Sequence, residues 1–317
     1  MRDSLAHIHS RLETIENSQK DVLWQMKQYH VEIATELSRV KHSGIIQLSE
    51  KEMVAQLFSG LKIYLDPRDI AVAQQMALDA IWEYRITKAW LKVLKPTDTV
   101  MDIGANFGYF GALAAQQTDK KRSKVIFFEA NSNLIPYIRK TLAVNWLKEQ
   151  SIIENLAISD KAGKVSLTVL KDYIGSSSLH TLEHMEGYMD KKMYLEPEEV
   201  ISVEATTIDA YSAKNNIKSI DLVKMDIEGY EEKAYQGMRK MVQSSPNITL
   251  FIEFTKQSYE HPEEFYNQML KDFGHMYLID NDSNIIKPSR TDYGSVIGSF
   301  DDWVMPIFSK NSKLADG

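Results

Sequence analysis

The residues best typed and spaced for chemistry lie in one stretch, Thr99 to Gly111, which reads TVMDIGANFGYFG. Thr99 to Ile103 is an apolar run of strand character, closed by a carboxylate at Asp102 and a glycine at Gly104. Gly104-Ala105-Asn106-Phe107-Gly108 turns tightly, and Tyr109 to Gln116 resumes in small and apolar residues of helical spacing. Strand, glycine-rich turn and helix let a backbone approach a nucleotide-like ligand closely.

The spacing selects the ligand. A dinucleotide turn reads G-x-G-x-x-G and presents amides to a pyrophosphate at a helix N-terminus. Here the turn is D-x-G-x-N-x-G, and an anionic side chain two positions before the first glycine suits an ammonium or ribose hydroxyls better than a pyrophosphate. About 20 residues on, as the general nucleotide pattern has it, a second apolar run from Val125 to Phe128 ends in Glu129, whose carboxylate can accept both hydroxyls of a ribose. A cationic amino-acid nucleoside, S-adenosylmethionine, is the ligand implied.

Four ordered motifs then resemble one family. DIGANFG from Asp102, FFEAN at Phe127–Asn131, NLAIS at Asn155–Ser159 and LVKMDIEGYE at Leu222–Glu231 occur in the order seen in FkbM-like methyltransferases, over roughly residues 60 to 310. Ala130 departs from the common form, in which a proline often follows the glutamate; ribose binding should not depend on it. The resemblance implies an α/β, Rossmann-like class I methyltransferase fold. Its sheet would have seven mostly parallel strands in the order 3-2-1-4-5-7-6, with helices on both faces. It further implies O-methyl transfer to a hydroxyl of a sugar, saccharide or glycosylated natural product. The family also tends to carry an acidic residue near Glu83, close to the cofactor pocket, although taken alone Glu83 is a solvated helix charge. The segment GSSSL from Gly175 resembles a family feature beside cofactor and acceptor.

In open α/β sheets ligands sit outside the carboxyl ends of the strands. That rule assigns Asp102, Gly104, Asn106 and Gly108 to the cofactor at the first strand, Glu129 at the second, and Leu156 and Ala157 at the third, where backbone amides meet the adenine. Asp226 and Glu228 end the fourth strand and Glu253 the fifth, opening onto one side of the crevice. Methyl transfer to a hydroxyl needs in-line alignment and removal of the acceptor proton. Asp226 or Glu228 can take that proton or orient the hydroxyl, with Glu253 and His180 as alternates, and Lys224 keeps the carboxylates ionised. The competing reading makes Lys224 and Asp226 a structural ion pair, because charges inside a parallel strand are costly unless paired. A divalent ion held by Asp226 and Glu253 ranks lower, with Phe254 where an amide ligand would help, and His180 with His184 lacks a third ligand, so no metal is assigned.

The elements that must position these residues are legible in order. Residues 1–45 carry apolar side chains at three–four spacing from Leu5 to Val40, the seam of a coiled coil that would assemble several copies. Residues 46–95 form a helical lead-in or cap, with a short helix from Leu48 to Phe58, a strand from Leu61 to Leu65 and a helix from Ile70 to Leu94. The methyltransferase domain occupies residues 96–317, with strands near 99–103, 125–129, 151–157, 220–226, 248–254, 275–280 and 302–308. Helices fall near 107–117, 132–146, 203–215 and 229–243. Residues 160–200 are an insertion that opens with a hairpin around Ala162-Gly163 and continues as an acceptor loop.

Composition bounds the rest. A formal charge of −7 argues against a general nucleic-acid binder, and the absence of cysteine excludes disulfides, thiol catalysis and a cysteine zinc site. No run of 18 apolar residues occurs, so the expected protein is soluble and cytoplasmic, acting on a small-molecule or saccharide acceptor. Two other classes stay open: a coiled-coil scaffold with an inactive methyltransferase-like domain, and a nicotinamide-dependent oxidoreductase, which would require the G-x-G-x-x-G that this turn lacks.

Overall fold

The structure, a computed structural model, describes residues 44–170, 172–179, 197–298 and 303–316. The coiled-coil seam falls on residues 1–43, outside this set. The lead-in begins as an antiparallel meander of β1 (Ile45–Ser49), β2 (Glu52–Gln56) and β3 (Lys62–Leu65). This corrects the helix expected from Leu48 to Phe58. Met53 and Ala55 are buried while Glu52, Val54 and Gln56 are not, a period of two that packs a strand and not a helix. The helix expected from Ile70 to Leu94 is two helices, α1 (Val72–Asp79) and α2 (Tyr84–Val93). They part at Ala80 and Glu83, both in left-handed backbone conformation at φ 58° and 43°.

From there strands and helices alternate: β4 (Thr99–Ile103), α3 (Tyr109–Gln117), β5 (Lys124–Phe128), α4 (Ile135–Val144) and β6 (Ser151–Glu154). Next come β7 (Ala157–Ile158), β8 (Gly163–Leu170) and β9 (Pro197–Thr206), which form a separate sheet in the order β7-β9-β8. The partner of β8 is therefore β9 across the insertion, which corrects the hairpin expected around Ala162-Gly163. The helix expected from residue 203 starts later, as α5 (Ile208–Lys214), because Val203 and Ala205 still alternate into the small core between β8 and β9. The chain continues through β10 (Leu222–Met225), α6 (Glu231–Gln236), α7 (Arg239–Ser244), β11 (Thr249–Ile252), β12 (Phe254–Thr255) and α8 (Pro262–Phe273). It ends with β13 (His275–Ile279), β14 (Ile285–Ile286), α9 (Tyr293–Val296), β15 (Trp303–Val304) and β16 (Ile307–Ser309).

The central sheet runs β14-β13-β16-β11-β10-β4-β5-β6, parallel from β6 to β11, with β16 antiparallel to both its neighbours. Leaving aside the edge strand β14, this is the order 3-2-1-4-5-7-6. Apolar side chains cover both faces. On one, Trp90 of α2 meets Phe110 of α3 and Phe251 of β11 edge-on, at ring centroid distances of 5.8 and 5.4 Å. On the other, Met225, Tyr235, Phe254 and Tyr266 pack beneath α6 and α8. Each such buried ring stabilises the fold by about 1.5–3 kcal/mol, which is what makes the strand ends a rigid platform. Among the described residues no helix is long and apolar enough to cross a membrane.

Candidate active site

The carboxyl ends of β4, β5, β10 and β11 open on a cleft of about 280 Å³. The turn after β4 is built for close backbone approach. Gly104 has φ +79°, and a Cβ there would stand 1.8 Å from the Asp226 carbonyl oxygen, so only glycine lets this turn lie against the end of β10. The Gly104 and Ala105 N–H groups donate to Phe128 O at 3.0 Å each, tying the turn to β5. Asn106 follows at φ 55°. Its N–H donates to Glu129 Oε2 at 2.6 Å and its Nδ2 to Gly175 O at 3.0 Å, while Oδ1 is buried without a partner among the described residues. Gly108, grouped with the cofactor residues from sequence, is not among the cleft-lining residues; it caps α3 at φ 84°, against Ile138.

Two carboxyl groups at the β4 and β5 ends are satisfied by backbone. Asp102 is buried and accepts the Gly111 N–H on Oδ2 at 2.7 Å. Burial pushes its pKa up to about 6, against the pull of Lys224 and that hydrogen bond. Glu129 accepts from Asn106 N and, on Oε1, from Asn131 N at 2.7 Å, and burial takes its pKa up to about 7. Each oxygen keeps a lone pair for a further donor. Leu156 and Ala157 line the same end of the cleft.

The β10 side is different. Lys224 pairs with Asp102 across the sheet, its Nζ donates to Asp226 Oδ2 at 2.6 Å, and it lies 4.5 Å from the centre of the Phe110 ring. Burial alone would lower its pKa; the carboxylates of Asp226, Glu83 and Asp102 outweigh that and hold it above the ordinary lysine value. Glu83 is the residue the sequence placed worst. The left-handed backbone between α1 and α2 turns it inward, it lines the cleft, and its Oε2 is buried with no hydrogen-bond partner among the described residues. Burial raises its pKa to about 7, against the attraction of Lys224. Asp226 Oδ1 makes no hydrogen bond within the described residues, and Glu228 lines the cleft at φ 56°.

Asp226, Glu253 and Glu231 offer carboxylate oxygens within 4.8 Å of one another, the spacing at which a cation can be shared. Glu231 is already engaged: its Oε1 accepts from Ile227 N at 2.8 Å and Gly229 N at 3.3 Å, and its Oε2 accepts from Tyr259 Oη at 2.9 Å. It fixes the loop that presents Asp226 and Glu228. Glu253 lines the cleft, and burial followed by repulsion from Asp226, Glu228 and Glu231 raises its pKa well above the ordinary range. His180 and His184 lie outside the described residues.

Sequence reasoning also passed over the groups that hold the 172–179 segment at the cleft. Asp69 accepts from Gly175 N at 2.8 Å and Ala73 N at 2.9 Å, and Asn131 Nδ2 donates to Ser177 Oγ at 3.1 Å. The FFEAN motif pointed to Asn131 by adjacency; nothing local pointed to Asp69, whose partner lies far along the chain.

A glycine turn on a parallel sheet, faced by carboxyl groups from adjacent strand ends, defines a Rossmann-like, nucleoside-binding methyltransferase fold. The model of the FkbM methyltransferase domain matches residues 102–282, more than half of the chain, and the chain belongs to that family. It is thus an S-adenosylmethionine-dependent methyltransferase. No functionally curated protein matches the sequence. Among solved structures it is similar to a methyltransferase FkbM from Methylobacillus flagellatus, at 14% identity and TM-score 0.40 over 77% of this chain; it spans 58% of that protein. It is also similar to TYW2 of M. jannaschii in complex with AdoMet, at 17% identity and TM-score 0.40 over 84% of this chain and 88% of the other. A putative transferase from Pyrococcus horikoshii aligns at 13% identity and TM-score 0.41 over 90% and 84% of the two chains. At these scores the likenesses add nothing to the family match.

Proposed function

We propose that the protein transfers the methyl group of S-adenosylmethionine to a hydroxyl of a sugar, saccharide or glycosylated natural product. The acceptors without a partner among the described residues fit that cofactor: Glu83 Oε2 and Asn106 Oδ1 are buried and call for N–H or O–H donors, and Glu129 has lone pairs to spare. Glu129 would take the ribose hydroxyls, Glu83 and Asp102 the ammonium side, Gly104 and Asn106 the close backbone approach, and Leu156 with Ala157 the adenine. Bound there, the cofactor supplies an electrophilic methyl on a sulfonium.

The observation that carries the reading is the state of Asp226. One carboxylate oxygen is bonded to Lys224 and the other is open to the cleft. Lys224 holds Oδ2, and Oδ1 orients the acceptor hydroxyl and takes its proton, with Glu228, Glu253 and His180 as alternates. On the same footing, the apolar seam of residues 1–45 supports a coiled coil that assembles copies of the chain.

Calorimetric titration of S-adenosylmethionine into the wild type, Asp102→Ala and Asp226→Ala tests the division of labour. Binding lost in the first variant and kept in the second, with transfer to glycosides lost in the second, is the expected result. No binding to the wild type sinks the reading and favours the inactive scaffold.

A further inference from the structure

Ten large apolar side chains stand exposed among the described residues, and of these only Trp303 lines the cleft. Its position follows from a row of alternating side chains. Ile307 and Met305 point into the core beneath α2 and α3, and Trp303 is the next member of that row. Ile307 pairs with Phe251, and Trp303 pairs with Thr255, so on the neighbouring chain Glu253 falls between the two pairs, in the row of Phe251 and Thr255. The row thus leaves the core at the cleft mouth, carrying the indole out one step beyond Glu253, with 46% of the residue exposed. A large ring held open at the rim of the cleft offers an apolar face to whatever binds there.

The carboxyl groups at the same end set the chemistry of that partner. Asp226 and Glu253 present two carboxyl groups side by side in the cleft, a pair that suits more than one hydroxyl at once, and a phenol brings one. Burial, followed by repulsion from Asp226, Glu228 and Glu231, raises the Glu253 pKa well above the ordinary range, which favours a neutral partner such as a hydroxyl that can accept as well as donate. A pyranose has both faces required: a patch of C–H groups for the indole and a rim of hydroxyls for the carboxyl groups.

We infer that Trp303 and Glu253 form the acceptor subsite, in which a neutral sugar ring stacks on the indole and turns a hydroxyl toward Asp226. This rests on the O-methyltransferase reading above and adds the residues that select the acceptor.

The full-length protein saturated with S-adenosylhomocysteine provides the test, by saturation-transfer NMR with methyl glycosides of common hexoses, 6-deoxyhexoses and pentoses, p-cresol and tetramethylammonium. At least one glycoside should receive saturation, strongest at ring C–H protons, and exceed both other probes. Trp303→Ala should weaken glycoside binding about tenfold or more, while Trp303→Phe keeps most of it. Affinity for S-adenosylhomocysteine should be unchanged in both variants. If the nucleoside binds but no glycoside does, if Trp303→Ala binds glycosides as the wild type does, or if p-cresol or tetramethylammonium binds best, the subsite is overturned and the methyltransferase reading stands. Failure of S-adenosylhomocysteine to bind the wild type overturns both.

Discussion

The two halves of the cleft hold their carboxyl groups by different means. At the β4 and β5 ends, Asp102 and Glu129 accept hydrogen bonds from backbone N–H groups of Gly111, Asn106 and Asn131. At the β10 end, one ammonium, Lys224, faces Asp226, Glu83 and Asp102 together. Backbone donors are fixed by the fold and survive any side-chain change. A lone cation does not, so the β10 half is the more fragile and the more easily tuned. Strain divides in the same way. Three of the non-glycine residues with positive φ, Glu83, Asn106 and Glu228, line the cleft, and two of these belong to the half that depends on Lys224.

Lys224→Met should break the comparison most severely. Removing the cation from buried carboxylates costs about 3–5 kcal/mol, read as a lowered urea midpoint, with the loss larger at pH 8 than at pH 6. A loss no larger than that of Glu129→Gln would mean the two halves are held alike. Asp226→Asn should lower kcat by about 10²- to 10⁴-fold while cofactor affinity stays within a few-fold. An unchanged kcat would move the chemistry to Glu228 or Glu253. Glu129→Gln should act the other way, weakening S-adenosylmethionine about 10- to 100-fold by calorimetry, because one amide cannot accept everything the carboxylate accepts.

The pH dependence of the cofactor-free protein sharpens the contrast further. Glu83 and Glu129 hold their protons to about pH 7 in the folded chain, and Asp102 to about 6, against ordinary values of 4.5 and 3.8. Between those limits the folded state binds more protons than the unfolded state, so stability falls as pH rises. Urea unfolding should report a stability that falls from pH 5 to pH 8, by up to about 2.5 kcal/mol for each of the two glutamates and about 1.4 kcal/mol for Asp102. A flat profile would mean the carboxylates are better solvated than the cleft suggests. The smallest effect belongs to Glu228→Gly, which removes a left-handed non-glycine residue and should raise stability by about 0.5–1 kcal/mol while lowering transfer. Lower stability would mean that the Glu228 side chain itself holds the loop.

Local sequence determined the central strands, the glycine turn and the cleft-lining carboxylates at their ends, because strand periodicity and close backbone approach are written in neighbouring residues. Asp102, Glu129 and Asp226 each stand at the end of an apolar run, and chain order alone brings such ends to one edge of a parallel sheet. The third strand of the meander was legible as Leu61 to Leu65, but the first two, Ile45–Ser49 and Glu52–Gln56, were not, since a short apolar run suits helix and strand alike and only the pairing of the strands decides between them. Glu83 was missed for a related reason. A glutamate in a helical pattern is normally solvated, and only the break between α1 and α2, imposed by what they pack against, turns it toward Lys224. Trp303 and Asp69 depended wholly on tertiary structure, for their partners, Thr255 and Gly175, lie far along the chain and no spacing rule connects them. Sequence placed the glycine turn and the strand-end carboxylates, and the fold alone decided which charges share one lysine and which ring is left exposed at the cleft.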